Sequence, residues 1–334
     1  MNQPAKDPAS AAEPSGHGEN EHHGRSVLGD AATQRDFPGV IAAMQRLLGL
    51  GGVDADSRIH TLDGRRLHHL EAGSGPPLIL LHGASGGAAN WYRMIGPLAR
   101  SYRVLALDFP GFGLSEPIDP RPPLGTQMAA LVLRWLDRVG ISQADFAGTS
   151  FGGLAALRLA QTAPKRVRRV AVIDSVGLGR ALPLTLRLAS RPPFSAVALR
   201  PSRFGTRWQF HELMVAQGAR VPADHVSALL EYLWQSAAAC NARDLARAFS
   251  LFSDLGGQRE VLTDDELRAF PARLMIIWGE RDRFLPVAQA QHAAALVPRA
   301  LCRIIPGAGH SPNWEAPDAV LECLSAFLRG DLAR

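Results

Sequence analysis

The stretch 144–157, Ala-Asp-Phe-Ala-Gly-Thr-Ser-Phe-Gly-Gly-Leu-Ala-Ala-Leu, constrains the fold more than any other part of the chain. A short apolar run meets the pentapeptide Gly148-Thr-Ser-Phe-Gly152 and then continues as a helix former. A serine at a strand-to-helix junction occupies a sharp turn, and flanking glycines remove the Cβ atoms that would collide there. The hydroxyl of Ser150 is thereby pushed out where a substrate can meet it. A plain glycine-rich turn has the same composition, so the surrounding chain has to decide between the two.

Around this turn the sequence alternates between strand and helix signals. Asp63-Gly64 separates 58–62 from 65–71 and predicts two antiparallel strands joined by a tight hairpin turn. The runs 77–81, 102–107, 146–148, 167–173, 273–278 and 301–305 are short and apolar, as strands buried on both faces are. Helical stretches at 88–100, 126–139, 151–162, 287–296 and 317–328 lie between or after them. This predicts an α/β fold: a mainly parallel, eight-stranded sheet with helices on both faces. After Asp174-Ser-Val-Gly177 the alternation stops, and 203–217, 222–239 and 242–255 read as helices with no strand between them. Leu182, Leu184, Leu186 and Leu188 have period two, but among these neighbours they read as a buried helical piece. The expected division is a core of 35–177 and 263–334, interrupted by an inserted helical cap, or lid, at 178–262. Apolar positions at three and four residues in 37–50 predict an amphipathic helix docked ahead of the core. Residues 1–34 are rich in Pro, Ala, Gly, Ser, Glu and His and are expected to be disordered.

Composition removes several functional classes. Hydrophobic residues make up 46% and charged residues 20%, a globular profile with ample core for 334 residues. The net charge of +5 is carried by scattered arginines, since Lys6 and Lys165 are the only lysines, and no nucleic-acid partner is expected. Cys240, Cys302 and Cys323 are odd in number and form no C-x-x-C pair, which fits neither a disulfide framework nor a zinc site. His17, His22 and His23 have no second ligand cluster, so no metal is expected and no cofactor is needed. No signal-type segment and no run of about 18 apolar residues is present, and the expectation is a cytoplasmic protein with no membrane partner.

In an open parallel sheet the ligand-facing loops lie at the carboxyl ends of the strands. Ser150 follows one such strand, Asp282 another and His310 the last, in the chain order Ser, Asp, His. A serine hydroxyl is a poor nucleophile until a base takes its proton, which is the role expected of His310. Asp282 would hold the imidazole tautomer and stabilise the imidazolium. Asp174 also ends a strand and is a rival for that carboxylate role.

These loops carry HGASGG at 82–87, DFPGFGLSEP at 108–117, GTSFGG at 148–153, WGERDRFLP at 278–286 and GAGHSPNWEAP at 307–317. With these motifs in this order, the chain from about 58 to 329 resembles the capped α/β-hydrolase superfamily. The resemblance implies a Ser150–His310–Asp282 triad and an oxyanion hole formed by the backbone N–H groups of Ala84 and Phe151. His82 is expected to brace its loop and Asp108 to fix its turn by hydrogen bonds. Ser85, Trp91, Phe112 and Trp314 are candidates for the pocket lining. Serine at the elbow favours hydrolysis of a carboxylic ester or related acyl bond in a small molecule with an apolar acyl or aromatic group. The layout is also similar to the carbon–carbon bond hydrolases of vinylogous diketone ring-fission products. Those enzymes usually have Asn where this chain has Thr149 and Trp where it has Ser311. A non-catalytic binding protein on the same fold is the alternative of another class. The cap arginines Arg180, Arg187, Arg191, Arg200, Arg203 and Arg207 are expected mostly on the surface, with an inward one able to hold a substrate carboxylate.

Overall fold

The computed structural model describes residues 37–331 apart from 85, 192–193, 196–199 and 241; the expected tail 1–34 lies outside the described residues. In chain order the strands are β1 (Asp56–Leu62), β2 (Arg65–Ala72), β3 (Pro77–Leu81), β4 (Arg103–Leu107), β5 (Ala144–Thr149), β6 (Val167–Ile173), β7 (Ser253–Asp254), β8 (Gly257–Gln258), β9 (Arg273–Gly279) and β10 (Leu301–Ile305). Eight of them form one sheet in the order β1-β2-β4-β3-β5-β6-β9-β10. The β1–β2 and β2–β4 pairings are antiparallel and all others parallel. The hairpin between β1 and β2 turns at Asp63 and Gly64, whose φ angles of 51° and 74° are both left-handed, as the tight turn requires.

The helices are α1 (Pro38–Leu50), α2 (Tyr92–Ala99), α3 (Leu124–Arg138), α4 (Phe151–Thr162), α5 (Leu184–Ala189), α6 (Arg203–Gln209), α7 (Ala223–Ala239), α8 (Ala242–Phe252), α9 (Asp264–Arg268), α10 (Ala288–Leu296), α11 (Pro312–Glu315) and α12 (Pro317–Arg329). The apolar residues separate into two clusters, one on each face of the sheet. One joins α1, α2, α7 and α12 to side chains such as Leu78, Leu80 and Val104. The other joins α3, α4 and α10 to Ile79, Leu81 and Leu105. Alternate residues of β3 thus serve opposite faces, which is why that strand reads as a continuous apolar run.

Helices α5 to α8 fall in the stretch 178–262 expected as the cap. Three expectations change there. The leucine run is helical only from Leu184 and not fully buried: Leu182, ahead of the helix, and Leu186 are buried, while Leu184 and Leu188 are 60% and 41% exposed, because a short helix turns only one side inward. The stretch expected as one helix over 203–217 is α6 followed by a π-turn at Phe210–Met214. The third helix ends at Phe252, and the chain closes into a small β7–β8 hairpin. Helix α1 buries Val40, Ile41, Met44 and Leu47, and its partner is cap helix α7, not only the core. No helix among the described residues is long and apolar enough to cross a membrane.

His69 on β2 is buried, and burial pushes its pKa down to about 4, with the Glu71 carboxylate, 3.5 Å from its Nε2, opposing the shift. The unfolded chain therefore binds a proton at this position between about pH 6.5 and 4 that the folded chain does not. Stability contributed by the neutral ring falls over that window as pH drops, by about 1.4 kcal/mol per pH unit. His69→Phe preserves a ring against His60 and Trp135 and removes the titration. Equilibrium denaturation of this variant between pH 7 and 4 is expected to show a shallower loss of stability than the parent.

Candidate active site

The serine turn is built by close backbone approach. Ser150 has φ 49° and ψ −116°, a strained conformation for a residue with a side chain, and it caps the N-terminus of α4. Its N–H donates to Ile173 O at 2.9 Å, and its carbonyl accepts from Gly153 and Val176. A Cβ on Gly152 would stand 2.2 Å from Leu81 O and 2.7 Å from His82 O, and one on Gly148 would meet Gly152 O at 2.4 Å. The two glycines of the pentapeptide are therefore required by contact with the end of β3 and with each other. On the far side Gly83 faces Ser150, where a Cβ would lie 3.0 Å from Ser150 Cβ.

His82 and Asp108 fix the loops beside the serine. His82 is completely buried; its Nδ1–H donates to Gly83 O at 2.6 Å and its Nε2 accepts from Phe109 N at 2.8 Å. Burial lowers its pKa, so the ring is neutral, as this donor–acceptor pattern demands. Asp108 accepts from Ala88 N and Leu114 N and from the His68 ring. Both residues tie loop to loop and neither lines the cavity beside Ser150.

His310 Nδ1 contacts Asp282 Oδ2 at 2.8 Å, and the carboxylate can only accept, so Nδ1 carries the proton and Nε2 is left free. Asp282 Oδ1 accepts from Phe284 N at 2.7 Å and Leu285 N at 2.9 Å. The side chains of His310 and Asp282 are 3% and 0% exposed. The Phe284 ring stacks on the imidazole at 4.6 Å between centroids. Ser150 and His310 line the same cavity, although no hydrogen bond joins them among the described residues; such bonds commonly tighten only once substrate is bound. Asp174 is adjacent: one oxygen of each carboxylate and one ring nitrogen of His310 lie within 4.8 Å of one another.

The cavity has a volume of about 140 Å³. Its lining includes Gly83, Ala84, Ser150 and His310 on one side and, from the cap, the apolar Leu186, Phe210, Leu213, Met214 and Leu233 together with Arg200, Ser202, Thr206 and Gln209. Of the residues expected in the pocket, Trp314 lines it, with its indole N–H donating to Asn90 O at 2.9 Å. Ser85 lies outside the described residues. Trp91 is corrected: it is fully buried in the core, because the first turn after the His82 loop packs inward. Phe112 is corrected too; it sits edge-on to His82 and lines a separate apolar cleft with Phe109 and Met128, because the pinned Asp108 loop carries it away from the serine. Phe151 opens α4, where first-turn amides have no acceptor within the helix.

Three features were not singled out in the sequence. Asn90 lines the cavity with its Oδ1 buried and without a partner. Asn313 also lines it, three residues past His310. Glu315 accepts from Gly309 N at 2.9 Å and from Ala216 N at 2.8 Å, binding the histidine loop to the cap; burial raises its pKa. Their signal, polar residues directly after a catalytic-type histidine or tryptophan-flanked loop, does not separate lining from solvent-facing positions. Among the cap arginines Arg200 lines the cavity, Arg203 pairs with Glu231 at 2.6 Å, and Arg187 donates to Leu255 O.

Substitution at Gly152 measures the close approach directly. Gly152→Ala is expected to lower stability by about 1–3 kcal/mol or more, since the colliding atoms are backbone. Gly49→Ala, with open space at its Cβ position, is expected to leave the thermal midpoint unchanged or slightly raised. Thermal melts of the two variants side by side check both outcomes.

A family profile described as alpha/beta hydrolase fold matches residues 76–317. The chain is 32% identical over 270 residues to the dihydrolipoyllysine-residue acetyltransferase component of the acetoin cleaving system of Cupriavidus necator, covering 80% of this chain and 68% of that protein. It is 29% identical over 275 residues to a 2-hydroxy-6-oxo-6-phenylhexa-2,4-dienoate hydrolase of Burkholderia cepacia, covering 80% and 92%. Among solved structures, a bacterial membrane phospholipase A is similar with a TM-score of 0.73 and 27% identity, over 91% of this chain and 96% of that one.

Proposed function

Since the chain belongs to the alpha/beta hydrolase fold family, we propose that it is a serine hydrolase cleaving a carboxylic ester or related acyl bond of a small molecule. The observation that carries this reading is the 2.8 Å contact of His310 Nδ1 with the buried Asp282, which leaves Nε2 free at the cavity that Ser150 also lines. His310 takes the Ser150 proton as the hydroxyl attacks the substrate carbonyl, and Asp282 stabilises the imidazolium. The N–H groups of Phe151 and Ala84 receive the oxyanion; losing one such donor typically costs about 100- to 1,000-fold in rate. The proton then passes from His310 to the leaving group, and water, activated by the same ring, releases the acid from the acyl-enzyme.

The cap, 178–262 in this reading, acts as a lid that supplies the apolar wall. A volume of about 140 Å³ is close to that of engineered apolar cavities that accept benzene, roughly 150 Å³. The substrate is therefore one with a short acyl chain or a single aromatic ring. Purified protein is expected to turn over p-nitrophenyl butyrate at least tenfold faster than p-nitrophenyl palmitate in kcat/KM. Leu233→Ala, which enlarges the roof, should narrow that gap; an unchanged ratio would place the acyl group elsewhere.

A fluorophosphonate probe should label the parent protein and not Ser150→Ala, with esterase activity lost in parallel. An inactive, unlabelled parent would favour a binding protein on this fold. A second reading, hydrolysis of a carbon–carbon bond in a vinylogous diketone, is favoured by the unpartnered Asn90 Oδ1 in the cavity and by the Burkholderia cepacia relative. Thr149 and Ser311 speak against it, as departures from the usual Asn and Trp. Faster turnover of such a diketone than of an aryl ester would reverse the order of the two readings.

A further inference from the structure

Asp174 has no part in the chemistry described above, yet the fold holds it beside the triad. It follows the last residue of β6, is completely buried, and adopts φ 44°, in the left-handed region that a side-chain-bearing residue avoids. Its backbone is held there by its N–H donating to Ile277 O at 3.0 Å, and its Oδ1 accepts from Gly279 N at 2.8 Å. Its Oδ2 is buried with no partner that donates to it. The Asp282 carboxylate lies close by, with an oxygen within 4.8 Å of one of Asp174's, and its own oxygens already receive two amide N–H groups and the His310 ring.

Two carboxylates this close in a dry site cannot both be ionised cheaply, and one proton satisfies both. Asp282 has three donors that favour its charged form. Asp174 has one. The proton therefore belongs on Asp174, and its otherwise orphaned Oδ2 becomes the donor to Asp282.

Resting on the triad reading above, we propose that Asp174 is a positioning residue: a neutral carboxylic acid that donates a hydrogen bond to the Asp282 carboxylate and fixes it against His310. Burial, and next the Asp282 charge, push the Asp174 pKa well above the usual carboxylate range, in keeping with this state. The charged or titratable groups around it are Asp282, His310 and Glu315; the Gly279 N–H is the donor that opposes the shift, and burial with the Asp282 charge outweighs it. The same three ligand-type residues are a poor metal site. His310 Nδ1 and both Asp282 oxygens are already engaged within the protein.

The neutral donor also sets the strength of the base. Drawing charge from Asp282 makes the carboxylate hold the imidazolium proton less firmly, so removing the donor should raise the pH at which activity appears. Asp174→Leu removes the donor at similar volume. Asp174→Asn keeps an N–H donor for Asp282 and a carbonyl acceptor for Gly279 N. Asp282→Asn breaks the triad itself.

Expected results for ester hydrolysis are a fall of about 10- to 100-fold in kcat for Asp174→Leu, with the acid limb of kcat/KM moved to higher pH. Asp174→Asn should restore both rate and limb most of the way to the parent. Asp282→Asn should lose about 10⁴-fold. If Asp174→Asn is as damaging as Asp282→Asn, Asp174 is the ionised partner of the base and the proposal is overturned. An unshifted acid limb in a folded Asp174→Leu overturns it as well.

A readout independent of activity covers a misfolded leucine variant. In the infrared difference spectrum of parent minus Asp174→Asn at pH 8, the C=O stretch of a protonated carboxylic acid should appear; its absence sinks the idea. Fluorophosphonate labelling of Ser150 in the same samples reports separately on the serine-hydrolase reading. Either one can therefore fail while the other stands.

Discussion

The contact on which the rest of the site depends is between two pieces of backbone. The turn from β5 into α4 presses against the end of β3, with Gly152 so near Leu81 O that no side chain fits between them. That approach sets Ser150 at its strained φ and turns the N-terminus of α4 toward the His82–Ala84 loop. Neutral His82 locks the same loop to Phe109, at the end of the neighbouring strand β4. Hydrogen bonds and steric contact at three parallel strand ends thus hold Ser150 and its neighbouring amides with little freedom, the condition for preorganised electrostatic stabilisation in the proposed chemistry.

Around that fixed centre lie parts of different character. The histidine loop is held by Asp282 on one side and by Glu315 on the other. Glu315 also takes the amide of Ala216, so cap and histidine loop share one carboxylate. Helix α1, which precedes the first strand, packs on cap helix α7 and buries Met44 and Leu47 completely. The cap is thereby anchored from both ends of the chain, while α5 and α6 keep Leu184, Phe204 and Trp208 exposed. This division couples a rigid floor to a roof with fewer buried contacts, the part of a structure expected to open most readily.

Much of this was legible in the sequence, for local reasons. The parallel strands were visible because burial on both faces leaves nearly continuous apolar runs such as Leu78–Leu81, and the hairpin because Asp63-Gly64 tolerates two left-handed φ angles. Strand-end loops collected Ser150, Asp282 and His310 because the parallel topology brings carboxyl ends to one edge. Pocket lining was not legible in the same way. Trp91 and Trp314 look alike as aromatic residues near loops, yet one is packed in the core and the other faces the cavity. Which of them turns outward depends on helix orientation, to which the spacing of residues is blind. The cap suffered most, since its leucine run has a strand-like period and its helices are short.

By itself the sequence determined the α/β fold, the order of the loops and the residue types gathered at them, because each follows from periodicity, turn chemistry and chain order. Only the tertiary structure decided between Asp282 and Asp174 as the neighbour of His310, since both end strands and only packing sets which oxygen reaches Nδ1. It also decided that Asn90 rather than Trp91 meets the cavity and that Arg200 alone among the six cap arginines lines it. Those outcomes rest on directions of side chains a few ångströms apart, which are fixed when distant segments pack and by nothing nearer in the chain.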